Sequence, residues 1–130
     1  MVRREAKFTA KFHRWLKYKW PNGIPAYFEI KSSKEKELSI SFDSVSEKQL
    51  NNLQVKKFVY KFSDFDRMGT PLDMVCFSGK GYVVLYYYRR NNKEFFIIPI
   101  DVFLKEKDSS IRRSLTEDRA RQLSLPYSLA

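Results

Sequence analysis

The run 82–88, Tyr-Val-Val-Leu-Tyr-Tyr-Tyr, contains no charge, no glycine and no proline. A strand this apolar has no side to offer to water, so it predicts a central strand covered on both faces. Asn91-Asn92 supplies turn residues beyond it, after Arg89-Arg90, and 94–100 reads as the next strand of a hairpin. The covers are legible nearer the N-terminus. In residues 5–18, Phe8, Phe12, Trp15 and Leu16 recur at helical spacing, while Arg4, Lys7, Lys11 and Arg14 fall on another side as a basic stripe. Pro21-Asn22-Gly23 ends that helix. Ser46-Glu47-Lys48-Gln49 has the form of a capping box and predicts a second helix from 47 to about 54.

Shorter strands are expected at 26–31, 38–42, 58–62 and 72–77. A polar link, Asp108-Ser109-Ser110, leads to a short helix ending near Leu123. The expectation is one α/β domain over 1–130, a central mixed sheet flanked by helices, with a short helical tail from about 108. A chain of 130 residues is long enough for one core and too short for two.

Charge and cysteine content narrow the function. Twenty-five Lys and Arg against fifteen Asp and Glu leave +10, which favours a polyanionic partner, nucleic acid first and an anionic membrane surface second. Cys76 is the only cysteine and His13 the only histidine, so an internal disulfide and a cysteine-based zinc site are excluded. No apolar run approaches the ~20 residues that span a bilayer, and no apolar segment follows the basic start as in a signal peptide. A reducing, cytoplasmic setting is the expectation.

Glu29-Ile30-Lys31 lies in a predicted strand, where alternate residues share a face. Glu29 and Lys31 therefore project together, while Phe28 and Ile30 project the other way. A carboxylate can hold Mg²⁺, and a lysine beside it can orient water or steady charge on a phosphate; a surface ion pair is the plainer reading. Glu5 heads the apolar stripe of the first helix, where a metal or Lys31 would satisfy it, although a first-turn Glu also suits the helix dipole. Asp73 opens an apolar strand behind Pro71, and Asp is a poor strand former; a turn Asp at a strand entry is its plainer reading. Asp64 and Asp66 sit in more turn-like sequence. Gln49 has a sufficient role in the capping box, and would have a second only if its side chain faced the sheet.

Taken together, the opening helix with Glu5, the strand Phe28-Glu29-Ile30-Lys31, the helix with Gln49 and the aromatic strand at 82–88 resemble the PD-(D/E)xK nuclease superfamily. Within it they are most similar to the Holliday-junction resolvases of phages, archaea and Gram-positive bacteria. The resemblance covers roughly residues 4–104. It implies a restriction-endonuclease-like fold and an Mg²⁺- or Mn²⁺-dependent DNA endonuclease acting in recombination and repair. The catalytic set would be Glu29, Lys31, Asp73, Glu5 and Gln49, with Asp73, Glu29 and Glu5 as metal ligands. It further implies a homodimer acting on branched DNA, since a four-way junction needs paired cuts. The chain departs from the family in one respect: the metal-binding Asp normally precedes the Glu-x-Lys strand, and no Asp precedes Asp43 here. Pro71-Leu72-Asp73-Met74-Val75, leading to a Gly79-Lys80-Gly81 turn and another strand, looks like the missing hairpin moved behind the second helix. The alternatives are a DNA-binding protein that kept the fold and lost catalysis, and a basic structural or interaction protein.

Overall fold

The computed structural model describes residues 2–20, 26–34, 37–55, 57–61 and 74–130, with side chains at 5–20, 26–34, 37–55 and 79–130. The chain runs α1 (Val2–Lys19), β1 (Ala26–Ser32), β2 (Ser39–Ser41), a 3-10 turn (Phe42–Ser44), α2 (Glu47–Gln54), β3 (Lys57–Lys61), β4 (Met74–Ser78) and β5 (Lys80–Tyr86). It continues with β6 (Glu94–Pro99), α3 (Ile100–Ser109), β7 (Ser114–Thr116), α4 (Glu117–Leu123) and β8 (Tyr127–Ser128). The central sheet has the order β1-β5-β6-β8. It is mixed: β1 and β5 are parallel, whereas β5–β6 and β6–β8 are antiparallel. Among the described residues no helix is long and apolar enough to cross a membrane.

The central strands are as buried as their composition requires. Val83, Val84, Leu85, Phe95, Phe96 and Ile98 have almost no exposed surface. Strand alternation divides them between two cores. One face carries Val84, Tyr86, Phe95 and Ile97 with Phe28 and Ile30, and is covered by Phe8 and Phe12 of α1. The other carries Val83, Leu85, Phe96 and Ile98, and is covered by Leu50 and Leu53 of α2, Phe103 of α3 and Ala120 of α4. Aromatic rings fill the first core, with Phe12 set edge-on to Phe28 and Phe95 at 5.3 and 5.5 Å. The β5–β6 turn is held by Asn91 at φ 63° and by Asn92, which donates to the Tyr87 carbonyl at 2.8 Å and accepts from the Glu94 amide at 3.1 Å. Asn tolerates the left-handed region better than most side chains.

Several boundaries differ from the sequence reading. The strand expected at 94–100 stops at Pro99, and Ile100 begins α3, a ten-residue helix the sequence reading did not anticipate. No turn separates them, so the apolar residues of strand and helix form one run. No hairpin turns at Gly79-Lys80-Gly81: β4 pairs antiparallel with β3, Lys61 opposite Met74, and Gly79 alone separates β4 from β5. The short helix expected near the end is α4, which stops at Leu123 as read, and the terminal segment is tied into the domain. Leu115 of β7 is buried opposite Ile40 of β2, and the Tyr87 hydroxyl donates to the Leu115 carbonyl at 2.9 Å. Arg119 of α4 makes a two-pronged contact with Glu106 of α3, at 2.7 and 3.0 Å. Pro21-Asn22-Gly23 lies outside the described residues.

Candidate active site

β1 is an edge strand of the central sheet, and its register on β5 fixes what each residue faces. Phe28 and Ile30 sit opposite Tyr82 and Val84, on the α1 side; Glu29 and Lys31 sit opposite Val83 and Leu85, on the α2 side. The strand therefore presents a carboxylate and an ammonium together on one face. Lys31 Nζ lies 3.6 Å from Glu29 Oε1, with the two side chains 19% and 18% exposed. Both heads are thus recessed but still wetted, a position where charge is neither fully screened nor fully desolvated.

Gln49 completes the arrangement from α2. The Ser46 hydroxyl accepts from the Gln49 amide at 3.2 Å, and Gln49 Oε1 accepts from the Ser46 amide at 2.9 Å, a complete capping box. Its other end turns to the sheet: Gln49 Nε2 donates to Glu29 Oε1 at 2.7 Å. The two contacts fix which end of the amide is oxygen, since only the NH₂ can donate to a carboxylate. One side chain thus serves both the helix start and the candidate site. A hydrogen bond to a charged group is worth about 1.5–3 kcal/mol, so Glu29 is held by two elements. α2 itself is set close against β5, because a Cβ at Gly81 would come within 2.1 Å of the Leu53 carbonyl oxygen.

The other expected residues are placed differently. Glu5 stands near the start of α1, the helix that covers the Phe28 and Ile30 face. Glu29 projects through the opposite face, and among the described residues no hydrogen bond or ion pair joins it to Glu5. Lys7, Lys11 and Arg14 are exposed on α1, as the stripe requires; the side chain of Arg4 lies outside the described residues. Asp73, Asp64 and Asp66 lie outside them as well. Asp43 is exposed in the 3-10 turn, its amide donating to the Ser41 hydroxyl at 3.2 Å.

Mg²⁺ takes oxygen ligands, and the donor set available to it can be tested against that. Among the described residues Glu29 is a single carboxylate with Oε1 already engaged, and no group of three His, Cys, Asp or Glu side chains gathers anywhere. The described residues fit part of such a shell and do not close it. What they assemble is a carboxylate, an ammonium and an amide recessed beside a sheet edge, able to bind and orient a polar or anionic group. The sequence reading took the residues after Tyr88 only as a turn. Arg89, Arg90 and Lys93 are a cation cluster there, visible as such in the sequence. Comparison of the chain with protein-family models, curated proteins and solved structures returns no match.

Proposed function

We propose that the chain is a metal-dependent DNA endonuclease of the PD-(D/E)xK type, with a restriction-endonuclease-like fold and a resolvase-like preference for branched DNA. The observation that carries this reading is the convergence of Glu29, Lys31 and Gln49, at 2.7 and 3.6 Å, from a strand and a separate helix. The sequence resemblance names those same three residues. Glu29 would serve as a ligand to Mg²⁺ or Mn²⁺; a bound ion of this kind supplies an activated water for phosphodiester hydrolysis. Lys31 stands where it can stabilise charge on a phosphate or steer the water, and Gln49 keeps the Glu29 carboxylate pointed inward. Asp73 is the candidate for the second carboxylate. The net charge of +10 supports a polyanionic substrate. Paired cutting of a four-way junction would require two copies of the chain, so a homodimer is part of the proposal.

The test is purified protein with a labelled four-way junction and with linear duplex, in Mg²⁺, in Mn²⁺ and in EDTA. Cutting is expected only with a divalent ion. Lys31→Ala and Asp73→Asn should each abolish it while leaving junction binding largely intact, because affinity for DNA is spread over many phosphate contacts. Undiminished cutting in EDTA, or wild-type cutting by Lys31→Ala, would overturn the mechanism. Junction binding without cutting in any metal would leave a DNA-binding protein.

A further inference from the structure

A groove of about 730 Å³ runs along α1 on the face of the sheet opposite Glu29 and Lys31, bounded on its far side by the β5–β6 turn. Its walls carry Lys7, Lys11, Arg14 and Lys19 from the helix and Arg90 and Lys93 from the turn, and no Asp or Glu side chain lines it. Among the described residues none of these six cations is held in an ion pair. Arg89 also lines the groove, but its guanidinium is held by Glu117. Six cations facing one cleft repel each other, an arrangement that a polyanion relieves. The groove also holds rings. Tyr18 lies at its margin with 72% of its surface exposed, and the Lys17 ammonium stands over its ring at 5.8 Å from the centroid, so a base stacked on the ring would have a cation beside it.

We propose that this groove binds a strand of single-stranded nucleic acid. A positively charged channel with an accessible aromatic ring is the combination that holds an unpaired strand, phosphates on the cations and bases stacked on the ring. A cavity of this size takes roughly a nucleotide or two at a time, which suits a strand threading through it rather than a duplex. From Lys7 to Lys19 the helix advances about 18 Å, so the strand follows the axis of α1. An anionic membrane fits less well, because the apolar lining, Phe8 and Trp15, is recessed in the core instead of standing out toward a bilayer. The inference does not need the nuclease reading. It places an anchoring surface on one face of the sheet and the Glu29 site on the other.

The experiment is fluorescence anisotropy of a labelled oligothymidine with the full chain in EDTA, titrated with salt, so that cleavage plays no part. Replacing Lys11, Arg90 and Lys93 together with Ala should flatten the slope of log affinity against log salt by about 2 units, at ~0.7 per lost contact. Tyr18→Ala should weaken binding roughly 5- to 100-fold with the slope unchanged, and Tyr18→Phe should bind as wild type, since the ring face remains. Lys48→Ala, at an exposed lysine of α2 on the other face of the sheet, should bind like wild type, which separates this groove from that face. Lys11, Tyr18, Arg90 and Lys93 all lie at the surface, and circular dichroism checks that each variant folds. An unchanged slope in the triple variant overturns the proposal. So does a wild-type affinity in Tyr18→Ala, which would reduce the groove to a general phosphate patch. Binding of anionic vesicles that the triple variant loses, with no binding of the oligonucleotide, would overturn it in favour of a membrane surface.

Discussion

Gln49→Glu separates the helix cap from the candidate site with one atom. Glu at this position satisfies a capping box as well as Gln does, so the start of α2 is preserved. What changes is the end facing Glu29, where an amide NH₂ donating at 2.7 Å becomes a second carboxylate. Two unit charges at 4 Å repel by about 4 kcal/mol at an effective dielectric of ~20. Loss of the hydrogen bond to a charged group adds about 1.5–3 kcal/mol. Lys31, 3.6 Å from Glu29, is drawn toward both carboxylates and offsets part of this. The net loss should be about 2–4 kcal/mol, a large fraction of the ~5–15 kcal/mol that stabilises a small domain. The assay is urea unfolding followed by circular dichroism, in EDTA at neutral pH and low salt. The pH dependence has a definite sign. The penalty requires both carboxylates to be charged, so it is absent below the ordinary carboxylate range of ~4 and grows as pH rises through it. Gln49→Ala, which loses cap and hydrogen bond without repulsion, should lose about 1–3 kcal/mol with little change over the same range. A Gln49→Glu variant as stable as wild type at neutral pH would refute the placement of Gln49 against Glu29.

Three further outcomes follow from the packing. Gly81→Ala should destabilise by about 1–3 kcal/mol, because its Cβ would meet the Leu53 carbonyl oxygen at 2.1 Å; the displaced α2 should also loosen Gln49 from Glu29, checked by side-chain NMR of the Gln amide. Phe12→Ala empties the centre of the aromatic core, where Phe12 is 1% exposed, and should lose about 3–5 kcal/mol by urea midpoint, whereas Phe12→Leu should lose less. The hydrogen bonds from Arg119 hold the Glu106 carboxyl below its ordinary value of 4.5. That contribution is therefore present above this value and lost as pH falls below it. Wild type should lose more stability than Glu106→Gln on acidification below 4.5, and equal acid sensitivity would contradict the role of this pair.

What the sequence disclosed follows from how local each signal is. α1 was legible because Phe8, Phe12, Trp15 and Leu16 repeat at its own period, and α2 because a capping box is written within four residues. α3 was hidden because Pro99 ends a strand and caps a helix at once, and from Phe95 to Leu104 only Pro99 and Asp101 interrupt the apolar residues. β8 has two residues, too few for any pattern, and exists only because β6 offers an edge. At the candidate site, the shared face of Glu29 and Lys31 follows from strand alternation alone. The reach of Gln49 across twenty residues depends on how α2 packs over β5, and that is set by Gly81 and Leu53, which carry no chemistry of their own. Which face of the sheet α1 covers was not legible for a related reason: a helical stripe shows that a helix covers a sheet, but not which side it covers.

Because both ends of the Gln49 amide are occupied, the Ser46 backbone N–H is linked to the Glu29 carboxylate through one rigid group. A cation that takes Oε1 competes with Nε2 for that oxygen and leaves the amide freer to turn. The oxygen that shields the Ser46 N–H then withdraws, and its hydrogen should exchange with solvent faster. A backbone position outside the site thereby becomes a reporter of it. The exchange rate of one amide, followed during a titration with Mg²⁺, would register occupancy of Glu29 without any substrate, any label or any turnover.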